Sequence, residues 1–408
     1  MRLGLRRQLP AYSPIRFASL LAGAAGALGL GRPRERLRAR LTERYGTADL
    51  LLTDSGTTAL RLAIRGALDV GLPSRASGTG GAGAGGRDAV ALPAYCCPDV
   101  VTAAVGAGAR VRLYDVDPAT LGPDWPTLEA VLGAGDVGAV VAVHQYGIPV
   151  NVARIGRLAG AAGALVIDDA AQGFGGSIGG RPLGALGSLG VLSFGRGKGI
   201  TGGGGGALLA NDEAGGRALA AVRELPVREL PVRGRLGWPE LVKLAAQWLL
   251  GRPSVYGLPA ALPWLGLGET HYEEPWPPRG IARGPAAAVL ANWEASLAEA
   301  ETRRANAGVL ADALANRFEL PSSPVLHSTT GALRRPVLAH PGTAFTRASG
   351  FRTAGIERGY PYLPALPALD TCLPEGCIYV HASRLATYLW TLPTHSRSNP
   401  PGTVNASR

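Results

Sequence analysis

An α/β fold, a mostly parallel sheet sandwiched by helices, is the architecture this sequence predicts. Short apolar runs recur from Ala48 to Ala210, and segments of helical periodicity separate most of them. Apolar strands joined by helices pair in parallel and need cover on both faces. A length of 408 residues, 46% of them hydrophobic, suffices for one large domain and a smaller one.

The elements follow in chain order. Residues 1–34 form a basic N-terminal segment, and the first 40 residues hold nine arginines and one acid, Glu35. Arg2, Arg6 and Arg7 followed by apolar Phe17–Gly31 look like a secretory leader, but Pro10, Pro14 and Arg16 interrupt the approach, so a cleaved leader is not expected. Glu35–Tyr45 reads as an amphipathic helix with Leu37, Leu41 and Tyr45 on one face. Ala48–Thr53 is a strand, and Asp54-Ser55-Gly56-Thr57-Thr58 opens a helix running to about Val70. Ser77–Gly86 is a glycine-rich loop without chemistry. Next come strand Ala89–Leu92, helix Pro98–Ala107 and strands Arg110–Asp115 and Val137–His144. Helix Val152–Ala162 and strand Ala164–Asp168 follow, and Leu189–Phe194 and Gly206–Ala210 add two strands. These elements make a large domain over 35–283. Its stretch 223–280 is atypical: a tandem pair, Arg223-Glu-Leu-Pro-Val and Arg228-Glu-Leu-Pro-Val, precedes an apolar helix Leu241–Leu250 and a Pro-, Trp- and Leu-rich run Pro253–Leu267. Gly251, Arg252, Pro253, Pro259 and Pro263 interrupt that region, so packing against protein is expected over contact with a membrane surface. Gly284–Ala315 reads as a long helix or helix pair leading into a smaller C-terminal α+β domain, 284–394, and 395–408 as a polar, frayed tail.

Composition excludes several classes. The net charge of +11 would suit an anionic partner, but no helix-turn-helix, zinc-finger or RNA-binding signature accompanies it, so nucleic acid is not expected. No apolar run is long enough to span a membrane. Cys96, Cys97, Cys372 and Cys377 make no disulfide framework in a chain this long, which fits a reduced, cytoplasmic setting.

Four segments carry chemistry. Ser55–Leu60 places small residues at a strand-to-helix turn, where free N–H groups and the helix dipole favour an anion. His144-Gln145-Tyr146-Gly147 ends an apolar strand, where such folds place ligand groups; a lone histidine there is as often structural. Asp168 and Asp169 end a buried strand, which is costly unless a cation, metal or protonated ring pairs with them. No further convergent ligands support a metal. Lys198 lies on the glycine-rich turn after Ser193 and Phe194, and it and Lys243 are the two lysines among 41 basic residues. Arginine serves wherever charge alone is needed; a retained lysine offers a reactive amine. Gly197–Gly202 fits a dinucleotide pattern, but a strand follows where a helix is needed, and a phosphate-loop pattern fails at Leu192 and Gly199. An anionic phosphate, an aldehyde seeking a lysine and a pyridinium seeking a carboxylate coincide in pyridoxal phosphate.

In order and content these segments resemble pyridoxal-phosphate enzymes of fold type I, and most closely the DegT/DnrJ/StrS sugar aminotransferases. That group's Ser-Gly-Thr-x-Ala-Leu, His-x-Tyr-Gly, Glu-Asp-Ala-Ala-Gln and Ser-Phe-x-x-x-Lys read here as Ser55–Leu60, His144–Gly147, Asp168–Gln172 and Ser193–Lys198. The resemblance spans about 35–212 and resumes faintly at Arg304-Ala305-Asn306 and Leu392-Pro393-Thr394-His395. It implies pyridoxal 5'-phosphate held as an internal aldimine by Lys198, which also shuttles the proton. It implies Asp169 on the pyridine nitrogen, Gln172 on the ring hydroxyl, and Gly56, Thr57 and Ser193 on the phosphate. The ring-stacking position falls on Cys97, where the group usually has an aromatic; Tyr95 lies close by. The implied reaction moves an amino group, commonly from glutamate, to a keto-sugar attached to a nucleotide, in a homodimer.

Departures are Asp168 for the usual Glu, Gly204 for the acid of a Gly-Glu-Gly-Gly turn, the stretch 223–280, and an end soon after His395, where the group usually has a last helix. These keep open a binding protein with a regulatory or assembly role. A related sugar dehydratase is the other alternative, but such dehydratases carry His at the lysine position.

Overall fold

A computed structural model of the chain describes residues 7–47, 49–71, 86–224, 236–262, 271–339, 354–370 and 378–398. The glycine-rich loop between 72 and 85, most of the tandem pair, the end of the Pro- and Trp-rich run, Cys372, Cys377 and the tail beyond Ser398 lie outside these residues.

Two helices open the described chain, α1 (Phe17–Ala27) and α2 (Pro33–Tyr45). In α2 Pro33 takes the first turn, where its missing N–H costs nothing, and Gly46 ends the helix in the left-handed region. Leu37, Leu41 and Tyr45 are buried as the spacing predicts.

The core elements follow as β1 (Asp49–Thr53), α3 (Gly56–Gly71), β2 (Ala89–Pro93), α4 (Asp99–Ala107), β3 (Arg110–Tyr114) and α5 (Trp125–Gly133). Then come β4 (Val137–Val143), α6 (Val152–Ala161), β5 (Leu165–Asp169), two short strands β6 (Ser177–Ile178) and β7 (Arg181–Pro182), β8 (Leu189–Ser193), β9 (Gly206–Ala210) and α7 (Glu213–Glu224). Seven strands form one sheet in the order β1-β9-β8-β5-β4-β2-β3. β9 is antiparallel to both its neighbours, and the other pairings are parallel.

Alternation divides each central strand between two covered faces. Ile167 and Leu208 pack toward α3 with Leu60, Ile64 and Leu68. Val166 packs on the opposite face with Leu128 and Ile155, and Leu209 packs there with Leu37, Leu41 and Trp293. Helices α5 and α7 were not evident in the sequence. Asp124 caps α5 by accepting from the Thr127 N–H, and Pro126 and Gly133 obscure the helical pattern of its nine residues.

In the atypical stretch lie α8 (Trp238–Leu250), which starts three residues before the expected Leu241, and the single turn α9 (Gly257–Ala260). The anticipated long helix is one unbroken element, α10 (Arg283–Leu314). Its first half packs against the large sheet through Ala286, Val289 and Trp293. Beyond it, β10 (Ser328–Thr329) pairs with β6. β6, β7 and β10 make a small sheet of their own, and a third sheet joins β11 (Arg334–Leu338), β13 (Leu389–Pro393) and β12 (Glu357–Arg358), all antiparallel, beside the helix Val380–Tyr388. No helix among the described residues is long and apolar enough to cross a membrane.

Candidate active site

Parallel pairing brings the C-terminal ends of β4, β5 and β8 to one edge of the sheet, the edge where open α/β sheets hold ligands. β1 leads into α3 at the same edge, where Ser55 bridges Gly205 in parallel. The four sequence segments therefore converge.

At the end of β5 alternation turns the two carboxylates apart. Asp168 is fully buried; its Oδ1 lies 2.7 Å from His144 Nε2, and its Oδ2 accepts from the N–H groups of Gly184 and Leu186 at 2.8 and 2.9 Å. His144 Nδ1 accepts from the Val150 N–H at 3.1 Å, so the ring proton sits on Nε2 and is donated to Asp168. This pair ties β4 to β5 and to the turn after β7. Asp169 faces the other way. Its Oδ1 accepts from the Ala171 N–H at 2.9 Å, and burial pushes its carboxyl up against the opposing pull of that hydrogen bond, Lys198 and His144.

The lysine turn is held at its base. The Phe194 N–H donates to Gly205 O at 2.8 Å, and Phe194 O accepts from the Gly202 N–H and Thr201 Oγ1 at 3.0 and 3.1 Å. Gly197 sits at φ +70°, a conformation that side chains rarely adopt. Lys198 is half-buried and opposes the rise in the pKa of Asp169 and of Cys97, which places its charge near both.

At the start of α3, Ser55 Oγ accepts from the Thr58 N–H at 3.0 Å, and Thr58 Oγ1 donates to Asp54 Oδ1 at 2.6 Å. The N–H groups of Gly56 and Thr57 open the helix, and first-turn N–H groups have no intrahelical acceptor. A Cβ at Gly56 would lie 2.7 Å from Ser193 Cβ, so only glycine lets this turn approach β8.

Gly56, Thr57, Cys97, Asp169, Gln172, Ser193 and Lys198, all seven residues singled out from the sequence, line one cavity of about 50 Å³. The Cys97 thiol is pushed up to about 12 by burial and by Asp99, against the pull of Lys198, so it presents a neutral surface. Tyr95 is buried with its hydroxyl 2.9 Å from that of Tyr146 and does not line this cavity. Gln172 is fixed at both ends: its Oε1 accepts from the Tyr146 N–H at 3.0 Å and its Nε2 donates to the Tyr360 hydroxyl at 2.6 Å. Tyr360, which stacks on Tyr146 at 5.3 Å, carried no signal in the sequence.

Cys97, Asp99, Gln172 and Lys198 also line an outer cavity of about 370 Å³. Its walls include Arg196, Arg334, Arg358 and Arg397, drawn from distant parts of the chain. At Gly204, where the family acid is absent, a Cβ would lie 3.1 Å from Glu240 Cγ, so the atypical stretch brings a carboxylate side chain beside that position.

An open helix N-terminus, a buried carboxylate and an amine thus surround one cavity at the C-terminal edge of the sheet. The chain belongs to the DegT/DnrJ/EryC1/StrS aminotransferase family, whose sequence profile matches residues 21–229. It is 29% identical over 195 residues to the L-glutamine:2-deoxy-scyllo-inosose aminotransferase of Streptomyces kanamyceticus, covering 48% of this chain and 42% of that protein. It is 30% identical over 185 residues to the UDP-N-acetyl-3-dehydro-alpha-D-glucosamine 3-aminotransferase of Acidithiobacillus ferrooxidans, covering 45% and 46%. The matches thus span under half the length of these curated relatives. The fold extends further: AtS13 from Actinomadura melliaura superposes with a TM-score of 0.71 at 22% identity, covering 96% of this chain and 94% of that one.

Proposed function

We propose that the protein is a pyridoxal-phosphate-dependent aminotransferase that moves an amino group, with glutamate as the expected donor, to a keto-sugar. The observation that carries this is the convergence of Lys198, Asp169 and the α3 N-terminus on one cavity. The cavity's groups suit the cofactor. Gly56, Thr57 and Ser193 offer donors for a phosphate, and the missing side chain at Gly56 is what lets the α3 turn sit against Ser193. Asp169, buried and facing inward, suits a protonated ring nitrogen. Gln172 would meet the ring hydroxyl, and the neutral Cys97, on the same cavity wall, would cover one ring face. When bound, pyridoxal phosphate supplies an aldehyde for the amine and a protonated ring that accepts an electron pair. Lys198 would hold the cofactor through its amine and carry the proton to and from the donor Cα, and Asp169 would keep the ring nitrogen protonated.

The four arginines of the outer cavity favour an acceptor that carries phosphate, as a nucleotide-linked sugar does. In this reading 35–283 binds the cofactor, 284–394 forms the smaller part, and the enzyme works as a homodimer in the cytoplasm, its role the supply of amino sugars for polysaccharide building.

Borohydride reduction of the protein mixed with pyridoxal phosphate, followed by peptide mass spectrometry, tests the reading. The reduced adduct is expected on Lys198 and not on Lys243, which lies in α8 outside both cavities. Lys198→Arg should lose the adduct and transamination from glutamate. An adduct on Lys243, or transamination near the parent rate in Lys198→Arg, would overturn it.

A further inference from the structure

The glycines that let the lysine turn pack closely also deprive it of side chains that could brace it. Its bracing comes from the N-terminal segment. Ser13, buried, donates from Oγ to the Lys198 carbonyl at 2.6 Å. Ala11 passes over Gly197, where a Cβ would sit 3.8 Å from the Ala11 Cβ. A few residues on, Asn292 of α10 is fully buried and joins both partners: its Oδ1 accepts from the Arg16 N–H at 3.4 Å and from Ser19 Oγ, and its Nδ2 donates to Thr201 O at 2.9 Å. At the other end Leu9 O accepts from His395 Nε2 at 2.8 Å. Between them the Arg397 guanidinium lies 4.2 Å from the Tyr12 ring. The segment Leu9–Ile15 is thus a strap, fastened at both ends, and it also walls the outer cavity.

We propose that this strap is a positioning element of the site, with Ser13 the positioning residue that sets the backbone of Lys198. The proposal rests on the amine role given to Lys198 above. A lysine amine hangs on four carbon–carbon bonds, so its reach is aimed by the backbone that carries it. A carbonyl pinned on one side restrains the peptide plane after Lys198, and so limits the ψ rotation that sets the direction of Cα–Cβ. The hydroxyl acts through the Lys198 backbone and touches no reacting atom.

The test compares the full-length parent with Ser13→Ala and with Ser13→Thr, which keeps the hydroxyl. Two readouts are followed: amide hydrogen exchange across 195–201, and the rate at which added pyridoxal phosphate becomes reducible onto Lys198. Ser13→Ala is expected to speed exchange in the turn by about tenfold, the size of one hydrogen bond of about 1.4 kcal/mol, with exchange in β4 and β5 unchanged. Adduct formation should slow by a similar factor, and Ser13→Thr should restore both. Unchanged exchange in the turn, or a rise spread evenly over the sheet, would overturn the proposal. If the parent forms no adduct on Lys198, the functional reading falls and the exchange comparison alone decides the strap.

Discussion

Asp168 and Asp169 are the same side chain one residue apart, and the structure gives them different work. Asp168 is sealed, with His144 and two backbone N–H groups around its oxygens. Asp169 faces the cavity with Lys198. Asn at 169 keeps the shape but cannot balance a ring cation, so Asp169→Asn is expected to fold as the parent does, keep some cofactor and lose transamination from glutamate. Asn at 168 removes the charge that three donors share. Charged hydrogen bonds contribute about 1.5–3 kcal/mol, so Asp168→Asn is expected to cost about 2 kcal/mol in urea unfolding, with a milder effect on the chemistry per folded molecule. Greater catalytic damage from the Asp168 change would mean that the register of the site is wrong by one residue. Strand alternation made it legible that the two carboxylates face apart, while the choice of Asp169 for the ring came from the family resemblance. The donors on Asp168 were not legible, because Gly184 and Leu186 arrive from a turn whose path no local pattern encodes.

At the scale of elements, the seven strands of the large sheet were legible because their apolar runs are buried on both faces, and α2, α3, α4 and α6 by their helical periodicity, whereas α5 and α7 were not. The apolar run Phe17–Gly31 contains α1, which packs closely on its neighbours. Its small residues serve a close helix contact: in α1 a Cβ at Gly26 would lie 2.6 Å from the Ala287 Cβ, and Gly23 meets Leu241 in the same way. The helix most tied to the site is α3, and its cap makes a separable prediction. Ser55→Ala removes the side chain that accepts from the Thr58 N–H, which should cost about 1 kcal/mol of stability. Gly56→Ala keeps the cap but drives a methyl against Ser193. The turn must then move away from β8, and affinity for pyridoxal phosphate, read by fluorescence titration, should fall at least tenfold. Equal affinity in parent and Gly56→Ala would remove the α3 N-terminus from the phosphate cradle.

Over the whole molecule, the site depends on contacts that cross hundreds of residues, which is why Tyr360, the outer arginines and the strap escaped the sequence. His395 is the joint between the far ends of the chain. Its Nε2–H donates to Leu9 O, and its Nδ1 is buried without a hydrogen-bond partner among the described residues. The charges of Arg303 from α10, Arg334 from β11 and nearby Arg397 act on the ring, and Tyr12 lies edge-on to it. Burial and these arginines pull its pKa from 6.5 down to about 4. The unfolded chain therefore binds this proton more readily, and stability rises with pH between those values. The contribution is complete above about pH 6.5 and is lost as pH falls toward 4, on the order of 3 kcal/mol for a shift of this size. Asp54, Asp169 and Glu357 have carboxyls raised by burial and push the other way, since their folded forms gain protons first on acidification. The parent's own pH slope therefore mixes opposed contributions, and the comparison with a variant isolates one. His395→Gln keeps a donor for Leu9 O and cannot titrate. Urea unfolding of both proteins from pH 7 to pH 4 should show the parent losing about 3 kcal/mol relative to the variant. Parallel curves, or a parent that gains on the variant toward acid, would mean that the imidazole is not held neutral at the seat of the strap.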